Sequence, residues 1–367
     1  MSQLIRCCDG YRRAIVLKVG ILTFHEIYNP GAYLQAMGTA SLLKKMGHDP
    51  VIIDYTAPAH RFSLAKMLSR NWRLWLRPQT VIELYGRNRA FQNAQKYFIR
   101  TPKLLSHESL EQQAFDAVLI GADIVWDYAT EYLGKDSVYF GWHLNACKKI
   151  SFAASCGKVS VENVPPAYVV EGLMQMDSLS VRDLNTQQMV KKYVNRDAAI
   201  ICDPAFHLDV EAHSFPPQER SPYLLVYMLP NYVNARIVEQ TKAYARKRGL
   251  TTIAVCYRQK WVDENRICIG PQEWLGYIRN AAAVVTNTFH GTIFSMKAGV
   301  PFVSELNDAI RLKTVTMIDR LGIGDRFFQQ EGSIEEILEH PWDVDAVHDR
   351  IDVWRKEAEF FLRSALG

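Results

Sequence analysis

The order in which apolar runs and helix-period segments follow one another most constrains how this chain can fold. "AIVLKVGILTF" (14–24) is a β-branched apolar run, and 32–49 carries apolar side chains at helical spacing before Gly47. "PVIIDY" (50–55) is a second apolar run. A strand, a helix and a strand in this order, joined by a right-handed crossover, predict the start of a parallel sheet.

The same alternation continues to about residue 208, stops at a polar, Pro-rich segment (213–223), and then restarts. We therefore predict two Rossmann-like α/β domains with parallel sheets, over 14–212 and 221–340. A final segment, 345–366, has a single apolar face and predicts an amphipathic helix packing across both domains. The further predicted strands are 115–123, 148–157, 176–182, 198–208, 223–229, 251–257, 282–287 and 300–305, and the further predicted helices begin near Asp183 and cover 231–248, 271–280 and 292–298.

Length and composition agree with two soluble domains. A chain of 367 residues is long enough for two cores, and it contains no apolar stretch of membrane-spanning length and no signal-peptide pattern at its N-terminus. Seven cysteines without a CxxC pair argue against a disulfide framework and a zinc knuckle. The histidines lack metal-ligand spacing, so we expect a cytoplasmic protein with reduced thiols and no bound metal.

Positive charge is concentrated in one segment. Residues 61–100 contain nine Lys/Arg and one Glu, a net charge of +8 in a chain whose formal net charge is +4. Aromatic and aliphatic side chains alternate with these charges, a composition that suits the inner face of a membrane or an anionic lipid-linked substrate. The alternative is a solvated helical excursion. Nucleic acid is disfavoured, because no recognition motif accompanies the charge.

His290 is the first candidate for chemistry. In "TNTFHGTIFSMKAGVPFV" (286–303) it lies where a predicted strand gives way to a helix expected to begin near Thr292. Gly291 would let a ligand approach the backbone, and the free N–H groups of the helix would favour an anion. The alternative is a structural histidine bonded within the turn.

Other candidates lie at the same predicted edge of the sheets. Arg182, in "SVRD", offers a planar guanidinium to a carboxylate or phosphate; alternatively, it pairs with Asp183 or Asp203. Asn29 and Gln35 flank a loop-to-helix junction in "NPGAYLQA". "GADIVWDY" (121–128) supplies Asp123, Trp126 and Asp127, residue types that suit sugar hydroxyls and ring faces, although Trp126 would equally suit a core.

Six strings, in this order, resemble the polysaccharide pyruvyl transferase family. The resemblance runs from about residue 18 to about residue 325. The strings are "TFHEIYNPGAYLQAMGTASLLKKMGHDPVIIDY", "LIGADIVWDY", "ISFAASCG", "LSVRD", "CDPAFHL" and "VVTNTFHGTIFSMKAGVPFV". The resemblance implies a GT-B-like two-domain fold, phosphoenolpyruvate as donor and a sugar of a surface polysaccharide, or of its lipid- or nucleotide-linked precursor, as acceptor. The product would be a pyruvate ketal.

The resemblance also implies roles for individual residues. His290 and Arg182 would hold or protonate the donor, assisted by Thr288, Gly291 and Thr292. Arg311, in "NDAIRLKTV", would add a positive charge. Position alone, and not the resemblance, predicts that Asn29, Gln35, Asp123 and Trp126 face the acceptor, and that Asp127, or alternatively Asp123, is the base. No cofactor is expected, because arginines and a helix N-terminus can hold two anionic groups.

Two other functions stay open on the sequence. One is a GT-B-like glycosyltransferase using a nucleotide sugar, which needs an acidic residue for the ribose; no convincing Glu is evident near the "FHG" loop. The other is a non-catalytic glycan-binding relative. The string "GADIVWDY" favours it, because the family's usual "GSDQVWN" carries polar residues where Ala122 and Ile124 stand here.

Overall fold

The structure is a computed structural model that describes residues 15–56, 78–130, 135–219, 221–329 and 332–367. Residues 57–77, which include the first part of the basic segment 61–100, lie outside the described residues, as do Cys7 and Cys8. The prediction that 61–100 contacts a membrane can therefore be followed only from residue 78 onward. There, a helix over Pro78–Ala94 leaves Ile82 and Tyr85 exposed.

The first sheet is parallel throughout and has the strand order β2-β1-β3-β4. A two-stranded parallel sheet, β5-β6, continues from it through bridges from Ile150 to Ser178 and from Ala154 to Val181. These strands are β1 (Lys18–Leu22), β2 (Asp49–Ile52), β3 (Ala114–Ile120), β4 (Asn145–Ser151), β5 (Ser180–Val181) and β6 (Ala199–Ile200).

The second sheet is also parallel, in the order β12-β11-β10-β7-β8-β9. Buried apolar side chains dominate its central strands, as expected of strands covered on both faces. The strands are β7 (Tyr223–Tyr227), β8 (Thr251–Val255), β9 (Glu264–Arg266), β10 (Ala283–Thr286), β11 (Phe302–Glu305) and β12 (Phe327–Phe328).

Helix ends follow local sequence signals. The Asn29 side chain accepts hydrogen bonds from the N–H groups of Gly31 and Ala32, and Pro30 occupies the first helical position of α1. Gly249 ends α7 in the left-handed region, at φ 63°. The helices are α1 (Pro30–Lys45), α2 (Pro78–Ala94), α3 (His107–Glu111), α4 (Ala167–Met174), α5 (Leu184–Met189), α6 (Val210–His213), α7 (Ala235–Arg248), α8 (Pro271–Arg279), α9 (Phe289–Lys297), α10 (Arg311–Leu321), α11 (Ile334–Glu339) and α12 (Val344–Leu366).

The C-terminal helix packs across both halves of the molecule, as predicted. Lys148, in β4, donates to the carbonyls of Ala365 and Leu366, while Arg350 of α12 donates to the carbonyl of Leu321 in α10. One continuous apolar core includes side chains from both large sheets and from α12. The two sheets are therefore joined by a shared interior and not by a linker alone.

Several predicted bounds are corrected. The helix that follows β10 begins at Phe289 and not near Thr292, because Thr288 caps it by accepting from the N–H of Gly291. The helix predicted over 231–248 begins at Ala235, because Asn234 caps it. The short strands β9 and β12 and the helices α4, α10 and α11 were not predicted.

Among the described residues, no helix has both the length and the apolar character needed to cross a bilayer. Of the five described cysteines, which are all free thiols, Cys156, Cys202 and Cys256 are buried and Cys147 and Cys268 are exposed.

Candidate functional site

A buried cluster of charged side chains forms where the carboxyl ends of β3, β5 and β6 meet the first turn of α9. Arg182 Nη1 donates to Asp203 Oδ2 at 2.6 Å, and His290 Nε2 lies 3.7 Å from the same oxygen. On its other side, Arg182 Nη2 lies 3.6 Å from Asp123 Oδ1. All four side chains are buried. The structure thus brings His290 and Arg182 together, from opposite halves of the molecule, on one carboxylate.

Asp203 is held in place by its own local sequence. It precedes Pro204 and caps the 3₁₀ helix Pro204–His207, with Oδ1 accepting from the N–H of Ala205 at 2.9 Å. The other oxygen, Oδ2, is left to face Arg182 and His290. An Asp-Pro pair at a helix start is a recognisable capping signal, so the sequence did offer a sign of this residue that our prediction did not use.

The position of His290 depends on glycine in α1. A Cβ placed on Gly31 would lie 2.3 Å from Cβ and Cγ of His290 and 2.4 Å from its Nδ1. One heptad further along α1, a Cβ on Gly38 would lie 2.1 Å from the carbonyl oxygen of Pro204. The two glycines lie on one face of α1 and let it pack tightly against both the helix of His290 and the turn of Asp203.

Two cations lie near the ring of Phe289. The Arg182 guanidinium carbon is 4.6 Å from the ring centroid, and Lys313 Nζ, from α10, is 5.7 Å from it. Burial, and then the charge of Arg182, lowers the pKa of Lys313 to about 8. Lys313 was not among the predicted residues, and it supplies a second positive charge beside Arg182.

The pKa values of Asp203 and of the neighbouring Asp183 are shifted in opposite directions. Burial alone would raise the pKa of Asp203, but its contacts with His290 and Arg182 outweigh burial and hold that pKa well below its usual range. Burial raises the pKa of Asp183, which accepts from the hydroxyls of Ser155 and Thr186 and caps α5. Of the two carboxylates first considered as partners of Arg182, only Asp203 forms a close pair with it.

Three polar atoms of the cluster have no hydrogen-bond partner within the described part of the chain. They are Nε and Nη2 of Arg182 and Nε2 of His290, and all are buried. A buried polar atom without a partner costs free energy, and such atoms are concentrated at sites that bind ligands. The cluster can therefore offer an arginine fork and an imidazole nitrogen to an anion.

The residues predicted to face the acceptor have structural roles here. Asn29 caps α1. Gln35 is buried and donates to Thr23 Oγ1 and to the carbonyl of Ala32. Trp126 is buried, and its indole N–H donates to the carbonyl of Tyr139. This residue therefore occupies the core position that the sequence left open as the alternative to contact with a sugar.

The two aspartates of "GADIVWDY" differ sharply. Asp127 Oδ1 and Oδ2 accept from the backbone N–H and the hydroxyl of Thr130, so its carboxylate is engaged in a local turn. Asp123 has φ 63° and lies beside Arg182. Asp123 therefore lies next to a residue predicted to bind the donor, although it was predicted to face the acceptor. The carboxylate of Asp127, which was predicted to be the base, is hydrogen-bonded to Thr130.

The residues that flank His290 also have packing roles. A Cβ on Gly291 would lie 2.3 Å from Thr286 Oγ1, so glycine is required for the helix to pack on the strand, whatever a ligand needs. Thr288 caps α9, and the hydroxyl of Thr292 bonds to the carbonyl of Thr288 and to Ser304 Oγ. These three residues fix the turn that carries His290.

Arg311 does not join the cluster. It is exposed at the start of α10 and lines a separate cavity that also contains Glu305 and Arg236. Lys313 faces Phe289 instead. Residues two apart on a helix point about 200° away from each other, so α10 presents them to different sites. The family resemblance implied Arg311 as the basic residue of "NDAIRLKTV", but it is Lys313, two residues later, that lies near Phe289 and Arg182.

One group of described side chains has the composition of a metal site. Ligand atoms of His25, Glu26 and Asp54, at the carboxyl ends of β1 and β2, lie within 4.8 Å of one another. Arg100 donates to Asp54 at 2.7 Å and Lys103 to Glu26 at 2.7 Å. Since both carboxylates are already paired with cations, the group is better described as an ion-pair network.

A model of the polysaccharide pyruvyl transferase family matches residues 29–308. The chain belongs to this family. The matched segment includes every member of the cluster except Lys313. No curated protein matches the chain in sequence.

Solved structures with the same fold include a putative UDP-N-acetylglucosamine 2-epimerase from Listeria monocytogenes, with 10% sequence identity, 92% of this chain and 91% of that chain covered, and a TM-score of 0.52. The UDP-GlcNAc 2-epimerase from Methanocaldococcus jannaschii in complex with UDP-GlcNAc and UDP has 11% identity, with 93% and 100% covered and a TM-score of 0.49. The first similarity shows that this pyruvyl transferase family member has the predicted GT-B-like α/β fold.

Proposed function

We propose that the protein transfers pyruvate from phosphoenolpyruvate, as a ketal, to two hydroxyls of a sugar in a surface polysaccharide or its precursor. The observation that supports this most strongly is the convergence of Arg182 and His290 on Asp203. Nε and Nη2 of the arginine and Nε2 of the histidine form no hydrogen bond with the described residues. A donor that carries a carboxylate and a phosphate on one carbon suits a compact site with two cations.

The residues divide the binding of the donor between them. The Nε and Nη2 groups of Arg182 form a planar fork that matches a carboxylate. Lys313, a compact charge 5.7 Å from the ring centroid of Phe289, suits the phosphate. Asp203 anchors Arg182 and lies 3.7 Å from Nε2 of His290, so it is a positioning residue.

The chemistry requires a proton for the methylene carbon of the donor. His290 delivers it, C3 becomes a methyl group, and positive charge develops at C2, where one sugar hydroxyl adds and loses its proton to a base. Phosphate then leaves, and the second hydroxyl closes the ketal. One phosphoenolpyruvate and one diol thus give one ketal and one inorganic phosphate. We assign the base to Asp123, because its carboxylate lies beside Arg182 in the cluster. Its Oδ1 accepts from the N–H of Ile124, whereas both oxygens of Asp127 accept from Thr130.

The test is His290→Ala, assayed by phosphate release from phosphoenolpyruvate with a panel of saccharide acceptors. Loss of a proton donor lowers turnover by about 10²–10⁴-fold. His340→Ala, at an exposed histidine, is the matched control and should not change the rate. Undiminished turnover in a folded His290→Ala variant would refute the role.

The choice of donor is tested separately by thermal shift. Phosphoenolpyruvate should raise the melting temperature of the wild type, and this effect should be lost in Arg182→Met. Stabilisation by UDP-sugars or GDP-sugars, without any by phosphoenolpyruvate, would instead favour the glycosyltransferase function. Binding of saccharides alone would favour a non-catalytic glycan-binding protein.

A further inference from the structure

A polar cavity of about 430 Å³ lies at the end of α9 that is far from His290, where α8, α9 and α12 meet the chain that follows the 3₁₀ helix Pro204–His207. Three cations and two carboxylates line it, namely Arg279, Lys297, Arg355, Asp209 and Glu211. Lys297 ends α9, seven residues after His290, which is about 10 Å along a helix. The cavity is therefore separate from the Arg182 cluster. Its volume falls in the range of roughly 300–1,000 Å³ that is usual for small-molecule sites.

Two of the three cations retain donors that the protein itself does not satisfy. Lys297 Nζ donates to the carbonyl of Phe206 at 2.6 Å and forms no ion pair with the described residues. Arg355 Nη1 donates to the exposed Asp352, but its buried Nε has no hydrogen-bond partner within the described ranges. Arg279, by contrast, is paired with Glu211 at 2.8 Å. The donors open to a ligand therefore belong to Lys297 and Arg355.

The pKa values of two groups that line the cavity indicate a positive potential inside it. Burial, and then the charge of Arg355, lowers the pKa of Lys297 to about 8, and the opposing effect of Asp209 is smaller. Burial, followed by the charges of Arg355 and Lys297, lowers the pKa of His207 to about 3. Lys297 and Arg355 thus repel each other, and an anion between them would relieve that repulsion.

The dipoles of the helices do not explain both cations. A cation in the last turn of a helix offsets the helix dipole, which accounts for the exposed and paired Arg279 at the end of α8. Arg355, however, lies in the middle of α12. A helix C-terminus would also raise the pKa of Lys297, whereas that pKa is lowered.

We propose that this cavity is a second anion site, which binds the phosphate monoester of a small polyol or sugar. Lys297 and Arg355 hold the phosphate, one as a compact charge and the other through planar N–H donors. A cavity of this size leaves room for an organic part, whose hydroxyls donate to Asp209 and Glu211 at the same wall. The site uses no group assigned to the donor, so the proposal goes beyond the proposed function and does not depend on it.

The experiment is calorimetric titration of the full chain with glucose 6-phosphate and with inorganic phosphate, at constant ionic strength. Glucose 6-phosphate should bind to the wild type, and Lys297→Gln and Arg355→Gln should each weaken it about tenfold or more, as expected on loss of a charge-assisted hydrogen bond. Lys356→Gln, at an exposed lysine of α12 adjacent to Arg355, is the matched control and should bind as the wild type does. Arg355 is only partly buried, so Arg355→Gln carries the test if Lys297→Gln does not fold.

Glu211→Gln tests the orientation of the ligand. It removes an acceptor for hydroxyls and releases Arg279 from its pair, so glucose 6-phosphate should lose affinity relative to inorganic phosphate. An unchanged ratio of the two affinities in Glu211→Gln would contradict the assignment of the hydroxyls to this carboxylate. Equal affinity of the wild type for the two compounds would contradict the organic part of the ligand.

Competition with phosphoenolpyruvate keeps this site apart from the donor site. In His290→Ala, where turnover is removed, saturating phosphoenolpyruvate should leave the affinity for glucose 6-phosphate unchanged. Three results would overturn the proposal: no binding of glucose 6-phosphate at millimolar concentration, binding that both Lys297→Gln and Arg355→Gln leave unchanged, and binding that phosphoenolpyruvate abolishes. Failure of the wild type to bind phosphoenolpyruvate would contradict the proposed function alone, because the substitutions still locate the site of glucose 6-phosphate.

Discussion

At the scale of single residues, Asp203 decides the character of the site. A buried arginine needs a partner, and the 2.6 Å contact from Arg182 to Asp203 supplies it. The same carboxylate lies beside His290, so one side chain links groups from both halves of the molecule. Sequence inspection considered Asp203 only as an alternative partner of Arg182. Its central position follows from the turn at Pro204, which points one oxygen at the helix and the other at the cluster.

Asp203→Asn should destabilise the protein by about 3–5 kcal/mol, because it leaves a buried guanidinium without its close counter-charge. The double variant Arg182→Met/Asp203→Leu should recover part of this loss, since it removes both charges. Denaturant unfolding of the wild type, Arg182→Met, Asp203→Leu and this double variant measures the coupling between the two side chains. Equal stability of Asp203→Asn and the wild type would show that the pair contributes nothing.

The loss of stability caused by Asp203→Asn should depend on pH in a definite direction. The pKa of Asp203 is lower in the folded than in the unfolded state, so its contribution is present above the unfolded pKa of about 4 and is lost as the pH falls toward the folded pKa. The stability difference between the wild type and Asp203→Asn should therefore shrink on acidification below about pH 4.

If Lys313 binds the donor as we propose, donor binding should be sensitive to alkaline pH. Its pKa of about 8 means that its charge is lost around pH 8, well below the usual range for lysine. Affinity for phosphoenolpyruvate should fall above that pH in the wild type. Lys313→Arg stays charged and should retain binding at pH 9, as measured by calorimetry. Identical pH profiles for the two proteins would exclude Lys313 from the donor site.

At the scale of elements, α1 positions the site although it supplies none of its charged groups. Gly31 and Gly38 lie one heptad apart on the face that packs against His290 and the Pro204 turn. The sequence shows these glycines, but helical spacing alone predicts only that glycine weakens a helix. Glycine is needed at both positions because two other elements approach α1 closely there. That approach is a feature of the tertiary structure.

Gly31→Ala should displace the imidazole of His290, because the added methyl group would lie 2.3 Å from its ring. Overpacking of this kind costs about 1–3 kcal/mol, against which the better helix propensity of alanine recovers less than about 1 kcal/mol. The rate of phosphate release should fall in Gly31→Ala even under conditions in which the variant is fully folded. Lys44→Ala, on an exposed position of α1, is the control. Unchanged turnover in Gly31→Ala would show that the position of His290 is unimportant.

The start of α9 shows a limit of local prediction. The apolar run before His290 suggested a strand up to residue 287 and a helix from about 292. Thr288 caps the helix earlier, so His290 lies in its first turn and not in a loop before it. Threonine favours strands and helix caps alike, so only the hydrogen bond from Gly291 settles which role it takes.

At the scale of the whole molecule, the two sheets share one core, and α12 packs against both halves. Trp354 of α12 is buried and lies 6.0 Å from the ring of Phe206, beside the Asp203 turn. Charged contacts from α12 reach β4 and α10. The halves that form the His290–Asp203 contact are therefore held at a fixed separation by a helix that follows both of them in sequence.

Trp354→Ala should lower stability by about 3–5 kcal/mol and should destabilise both halves together. Scanning calorimetry should show one cooperative transition in the wild type and one, at lower temperature, in the variant. Phe360→Ala, whose side chain is 74% exposed on the same helix, is the matched control and should change little. Two separate transitions, of which only one shifts, would contradict a shared core.

The sequence by itself determined the parallel α/β architecture, most of the strands, the C-terminal helix, and the candidacy of His290 and Arg182. These features follow from periodicity and capping, which act over a few residues. Very short strands such as β12 could not be predicted, because two residues are too few to show a periodic pattern.

Only the tertiary structure decided which side chains meet. It joined His290 to Asp203 and Lys313 to Phe289, placed Trp126 in the core, turned Asp127 toward Thr130, and set Arg311 and Glu305 in a cavity of their own. Such contacts depend on the direction in which each side chain leaves its element and on the packing of distant segments. No local pattern of residues encodes either one.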